Sequence, residues 1–250
     1  MSNPSLIWIT GASTGIGRAV ALAYARQGST VAASARDAKA LQALSEESGG
    51  KIHAYPLDVS DRAANLALVE RIEADLGPID LTILNAGTHH EVTAANFDPA
   101  VFDKLFAVNF FGVVNGLAAI MPRCIGRRAG HIAIVSSVAG YRGLPSASAY
   151  GATKAALINM AEALQPDLDR HGVKLSLINP GFVRTPLTDL NEFPMPFLME
   201  VEAAAARVVS GLARGGFEIT FPRRFTFMLK FLRILPISWY LALTKRFAMR

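Results

Sequence analysis

The 250-residue sequence predicts an α/β fold, a doubly wound and mostly parallel sheet with helices on both faces. It reads as one domain over residues 1–221 followed by a helical tail over 222–250. Three observations predict this. Short apolar runs rich in β-branched residues alternate with longer runs of helical period. A glycine-rich turn joins the first apolar run to the first helix. A composition 51% hydrophobic and 18% charged carries enough apolar material to bury one sizeable core, and too much for disorder.

Residues 5–10 read as the first buried strand, and 15–27 as the helix beyond its glycine turn. Strand 30–35 leads to helix 38–47, strand 51–57 to helix 62–76, and strand 80–84 to one long helix over 98–127. Strand 131–136 precedes helix 149–169, strand 174–179 precedes helix 200–214, and strand 217–221 ends the series. Such βαβ alternation favours parallel pairing, with helices covering both faces of the sheet.

The only cysteine, Cys124, has no internal disulfide partner, and cysteine-based zinc or iron–sulfur sites need several thiolates. No metal site is expected, and a reducing, cytoplasmic setting fits. The first ten residues lack the basic and apolar regions of a signal peptide, and no apolar run approaches the ~18 residues of a membrane span. Seven of the 25 basic residues (Arg223, Arg224, Lys230, Arg233, Lys245, Arg246 and Arg250) lie after residue 218, where no acid occurs. The rest of the chain carries 18 basic against 20 acidic residues, so the net charge of +5 belongs to the tail. That argues against nucleic acid binding by the main fold and for a local anionic or membrane-surface contact at its end.

The chemistry concentrates at a few places. Thr10-Gly11-Ala12-Ser13-Thr14-Gly15-Ile16-Gly17 joins strand to helix, where glycines let the backbone approach a pyrophosphate resting on the helix N-terminus. The spacing is G-x-x-x-G-x-G, not the general G-x-G-x-x-G. Tyr150 and Lys154, four apart, project from one helix face, and Ser137 at the end of the fifth strand can meet Tyr150 in the crevice of an open α/β sheet.

These motifs, taken in order with Asn85-Ala86-Gly87 and Asn109, resemble the short-chain dehydrogenase/reductase family over about residues 6–221. The family usually has two asparagines before Ala-Gly, and Leu84 stands in place of the first. The resemblance implies hydride transfer between a nicotinamide and a carbonyl or alcohol. Tyr150 would be the general acid in reduction, its pKa falling from ~10 toward ~7, a change worth about 4 kcal/mol. Lys154 at ~4 Å and an effective dielectric of ~20 could supply a similar amount before phenolate desolvation is counted. Ser137 would hold the carbonyl oxygen, and Asn109 a water in a proton relay behind the lysine.

For the cofactor, the resemblance implies a ribose-binding acid at the end of strand two in NAD-using relatives. Ala35 stands there with Arg36 next, which favours NADP(H) and leaves NAD(H) open through Asp37, a residue equally explained as a helix cap. Asp58-Val59 matches the adenine edge, with a capping role for Asp58 as the alternative. Pro180, Gly181, Val183 and Thr185 match the segment against the nicotinamide, Val183 through backbone and Thr185 through its hydroxyl. The apolar stretch 186–199, with Leu187, Leu190, Phe193, Met195, Phe197, Leu198 and Met199, reads as a flexible lid over an apolar substrate, the alternative being a loop packed down permanently. His89 and His90 line the cleft rim, while Asp80, His53, His131 and His171 read as structural.

In the tail, a helical wheel over 223–233 gathers Arg223, Thr226, Lys230 and Arg233 within roughly 80° on an otherwise apolar helix. With Trp239 and Tyr240 beyond Pro236, this suits peripheral membrane contact through 223–250, or cover for the cleft or a subunit interface with only the cations in water. The resemblance also implies a homodimer or homotetramer through the two long helices. The leading function is a carbonyl reductase or alcohol dehydrogenase for hydrophobic substrates. The alternatives are a 3-oxoacyl-carrier-protein reductase and a non-catalytic, membrane-associated NADP(H)-binding regulator.

Overall fold

In the computed structural model, which describes residues 3–189 and 195–248, seven strands form one sheet in the order β3-β2-β1-β4-β5-β6-β7. The strands are β1 (Leu6–Thr10), β2 (Thr30–Ser34), β3 (Ile52–Ala54), β4 (Leu81–Leu84), β5 (His131–Val135), β6 (Lys174–Pro180) and β7 (Glu218–Phe221). All six neighbouring pairs are parallel, a stronger result than the mostly parallel expectation. Chain order reverses at β1, which pairs with β2 on one side and β4 on the other, so a crevice opens beyond their C-terminal ends.

Side chains alternate across each strand, which divides the core into two layers. Ile7, Ile9, Val31 and Ala33 face α1 (Gly15–Arg26), α2 (Ala38–Glu47) and α7 (Val201–Arg214). Leu6, Trp8, Ala32 and Ile132 face α3 (Arg62–Leu76), α5 (Gly112–Arg127) and α6 (Ser148–Arg170). Burial on both sides explains why the strands read as continuous apolar runs.

Most boundaries fall within one residue of expectation, and two elements differ by more. The β3 strand stops at Ala54, although Tyr55 and Leu57 still donate backbone N–H groups to Ala33 and Ala35; Pro56 between them has none to give. The single helix expected over 98–127 is α4 (Pro99–Phe106), a π-helical turn at Ala107–Phe111, and then α5. Asp98 caps it, accepting from Ala100 N–H. By length and composition Pro99–Arg127 could cross a membrane, yet half of its most apolar window is buried in the fold, with Val113, Leu117 and Ile120 in the core.

The tail forms α8 (Arg223–Ile234) and α9 (Ile237–Ala248). Phe225 and Leu229 of α8 join the core beside α5 and α6. Arg142 clasps the pair. Its Nη1 donates to the carbonyls of Leu232, Arg233 and Leu235 at 2.7, 3.1 and 2.9 Å, and its guanidinium lies 4.2 Å from the Tyr240 ring centroid. The Tyr240 hydroxyl in turn donates to Gly143 O at 2.5 Å. Of the expected basic stripe, Arg223 and Arg233 face water, while Thr226 is buried and Lys230 pairs with Glu218. Apolar side chains see water too, Phe227, Phe231 and Ile234 being 78%, 60% and 76% exposed.

Candidate active site

The loops after β1 and β4 meet at the crevice. Gly11 and Gly15 have φ of 66° and 55°, values that L side chains rarely adopt, and a Cβ on Gly11 would come within 2.7 Å of Ala86 Cα. On Gly17 a Cβ would strike the Gly11 carbonyl and lie 2.5 Å from Asn85 Nδ2. The turn is held from β4: Asn85 Nδ2 donates to the carbonyls of Thr10 and Gly11 at 3.0 and 3.1 Å. Thr10 Oγ1 accepts from the backbone N–H groups of Asn85 and Ala86. Leu84 in place of the family's first asparagine is a buried core residue at the end of β4 and leaves this lock intact.

On the other side of the crevice, α6 delivers Tyr150 and Lys154. Lys154 Nζ donates to Val135 O at the end of β5 at 3.0 Å and lies 5.6 Å from the Tyr150 ring centroid. The Ser136 hydroxyl donates to Lys154 O at 2.8 Å, binding strand end to helix. Ser137 Oγ accepts from Ala139 N–H at 3.1 Å and reaches Pro180 O only at 3.5 Å. Behind them Asn109, fully buried in the π turn, accepts from Thr88 N–H at 2.7 Å. Its Nδ2 donates to Thr88 O and to Thr153 Oγ1, so it ties the loop after β4 to α6 one residue before the lysine.

One cleft of about 480 Å³ collects these groups. Gly11, Ser13, Thr14, Gly15 and Ile16 form one wall, followed by Arg36, Asp58 and Val59, then Asn85, Ala86 and Gly87. Ser137, Tyr150, Lys154, Pro180, Gly181, Val183 and Thr185 complete it. Of the candidate catalytic and cofactor residues, Gly17 and Asn109 stand behind the lining, the first as a packing contact and the second as a brace, and neither His89 nor His90, expected at the rim, is among the lining residues. Thr10, Thr88, Lys104 and Thr188 also belong to the site or its frame and were not singled out. Thr10 sits inside the glycine motif and was legible there; Lys104 reaches the cleft only because of where α4 lies. A larger groove of about 1170 Å³ runs along α1 and α7 to the opposite end of the strands and shares only Gly15 with the motifs.

Electrostatics departs from the expected lowering of the phenol. Burial pushes Tyr150 above its ordinary range, with Ser137 working weakly the other way. Burial likewise pushes Lys154 down to about 8. The ammonium binds Val135 O, and desolvation of the phenol is the largest effect on it. Asp58 is not a helix cap: it accepts from the Ser60 backbone and hydroxyl, which hold its carboxyl low with help from nearby Arg36, while Asp61 caps α3. Asp37 does cap α2, accepting from Ala40 N–H at 3.0 Å. His89 sets its ring edge on Tyr150 at 4.9 Å, and burial lowers its pKa.

The expected lid is pinned at its base, where Val183 bridges Met199 and Arg184 pairs with Glu200. Phe182 and Phe197 both lie against Phe225 of α8, with ring centroids 5.5 and 5.9 Å away. Leu190 and Phe193 lie outside the described residues. Among the described residues no three His, Cys, Asp or Glu side chains gather as metal ligands.

A short chain dehydrogenase family profile matches residues 5–193. The chain belongs to the short-chain dehydrogenase/reductase family. Within it, the chain is 37% identical over 241 residues to an uncharacterized oxidoreductase of Myxococcus xanthus, covering 95% of both chains. It is 39% identical over 196 residues to a probable oxidoreductase, EphD, of Mycobacterium tuberculosis, covering 77% of this chain and 33% of that longer one. A Burkholderia phymatum short-chain dehydrogenase/reductase solved with NAD superposes with a TM-score of 0.84 at 25% identity, covering 92% and 94% of the two chains. A Sphingobium yanoikuyae short-chain dehydrogenase solved with NADPH gives 0.78 at 28% identity, covering 87% of each. The chain is therefore an oxidoreductase of this family with a nicotinamide cofactor, and its cleft fits one: at Gly11 and Gly17 a Cβ would collide with the turn or the loop facing it, and at Gly15 it would press on Thr185.

Proposed function

We propose that this chain is an NADP(H)-preferring carbonyl reductase or alcohol dehydrogenase acting on hydrophobic small molecules, with Tyr150 as general acid and base. The observation that carries the reading is the convergence of Ser137, Tyr150 and Lys154 on the cleft that the Gly11–Gly17 turn opens. A bound nicotinamide would supply or accept the hydride, held by the glycine turn, Asp58-Val59, Asn85-Ala86-Gly87 and Pro180–Thr185.

The chain's own part is proton transfer and charge placement. Ser137 Oγ accepts from Ala139 N–H and gives its own hydrogen to Pro180 O only at 3.5 Å, a long contact it can exchange for a substrate oxygen that gains negative charge. Tyr150 then gives that oxygen its proton. Burial keeps the phenol protonated near neutrality, which suits reduction. Lys154 steadies the charge left on the phenolate, and Asn109 holds the lysine's helix and the Thr88 loop together. Arg36 at the cleft edge, with the Asp37 carboxylate engaged as a cap, supports a 2′-phosphate over a free ribose hydroxyl.

NADPH oxidation with a panel of apolar ketones, a 3-oxoacyl thioester included, tests the reading. Tyr150→Phe is expected to lose turnover and keep NADPH binding; binding without turnover in the parent chain would favour the regulator instead. Arg36→Ala should weaken NADPH far more than NADH, and equal losses would remove the cofactor argument. The same reading has a cytoplasmic catalytic body, assembled as a dimer or tetramer through its long helices, with peripheral membrane contact through residues 223–250.

A further inference from the structure

We propose that the water-facing sides of α8 and α9, with the cations beside them, form a docking surface for a bilayer containing anionic lipid. This names the face and the lipid class behind the peripheral contact proposed above, and it stands whether or not the chain transfers hydride. The two helices divide their apolar residues. Phe225, Leu229 and Tyr240 are used inside the protein, against the core, the Phe182–Phe197 loop and the Arg142 clasp. Phe227, Phe231 and Ile234 follow helical spacing on the opposite side of α8 and are 60% exposed or more. Arg223 and Arg224, both exposed, flank that strip on the wheel. On α9, Ile237, Leu241 and Lys245 repeat every fourth residue and are exposed, as is Trp239 at 68%.

Large apolar side chains gathered in this way mark an interaction surface rather than ordinary surface scatter. Charge selects the occupant. No acidic residue lies between 219 and 250, and the next in sequence, Glu218, is already paired with Lys230, while Glu162 of α6 shares a groove with Lys230 and Arg233. A second copy docked symmetrically here would set cations against the same cations with no carboxylate from this segment to pair them. An anionic bilayer meets both demands: hydrocarbon for the phenylalanines, headgroup phosphates for the arginines and an interfacial depth for Trp239. The strip does not cover the cleft, since the side of α8 that touches the substrate loop is the buried one carrying Phe225.

The test is sedimentation of the full chain with vesicles of phosphatidylcholine alone, or with roughly a third phosphatidylglycerol, beside light scattering for oligomeric state. The chain is expected to pellet with the anionic vesicles, weakly with neutral ones, and less as salt is raised. Phe227→Ser with Phe231→Ser should abolish pelleting while melting temperature and NADPH binding stay unchanged. Arg223→Glu with Arg224→Glu should lower the partition on the order of tenfold or more. Failure to pellet, equal pelleting with both vesicle types, or a phenylalanine variant that pellets like the parent would each overturn the proposal. So would a phenylalanine variant that splits a stable dimer, which would assign the face to a second copy. None of these outcomes bears on ketone reduction, which is read separately in solution.

Discussion

Lys154→Met should make the protein more stable at neutral pH while removing its activity. Lys154 is buried, and the fold lowers its pKa from 10.5 to about 8, so keeping it protonated at pH 7 costs roughly 3 kcal/mol relative to the unfolded chain. Methionine fills similar space without charge and gives up the hydrogen bond to Val135 O, worth about 1 kcal/mol. The net gain is about 2 kcal/mol, or roughly 4–8 °C in Tm for a domain of this size. The sign with pH is definite. Between about pH 8 and 10.5 the unfolded lysine holds more proton than the folded one, so the parent gains stability as pH rises through that window. The methionine variant has no such gain, and its advantage should shrink between pH 7 and 10. Tyrosines pushed up by burial and remote from the substitution, such as Tyr24, oppose this in both proteins above pH 10 and cancel in the difference. Urea unfolding of both proteins at pH 7 and pH 9.5 measures the effect. A variant less stable than the parent at pH 7, or a difference that does not change with pH, would refute the reasoning.

Two further substitutions test the frame around the site. Gly17→Ala drives a Cβ into the Gly11 carbonyl and Asn85, and should cost about 1–3 kcal/mol with a marked loss of NADPH affinity; thermal melts and a fluorescence titration that both match the parent would contradict the close-packing role. Arg142→Ala removes the three-carbonyl clasp and the stacking on Tyr240, a loss of about 2–3 kcal/mol local to the tail. Hydrogen exchange should quicken across α8 and α9 and stay unchanged at β1, and a uniform response would show that the clasp is not local.

The helix boundaries around the tyrosine and lysine were legible because period and spacing are local properties of the chain. The glycine turn was legible for the same reason, since glycine adopts the positive φ at Gly11 and Gly15 without the strain other residues meet there. The π turn at Ala107–Phe111 was not. Its residues continue the same apolar pattern as the helices on either side, and the change shows only where Asn109 meets Thr88 and Thr153. At Asp58 the sequence leaves capping open as the alternative to a cofactor contact, and only the fold excludes it: an acid before a helix resembles a cap whether it binds the helix or, as here, the turn ahead of it.

The sequence by itself determined the alternation of strands and helices, the seven-strand sheet and the order of the motif residues, because hydrophobic period and backbone preference act over a few residues. Only the tertiary structure decided the ionisation of the pair and the exposed side of the tail. Burial raised the phenol and lowered the amine, and packing turned Phe227 and Phe231 of α8 toward water and Phe225 and Thr226 into the protein. Both depend on which surfaces lose contact with solvent, and that is settled by segments distant in sequence meeting across the sheet.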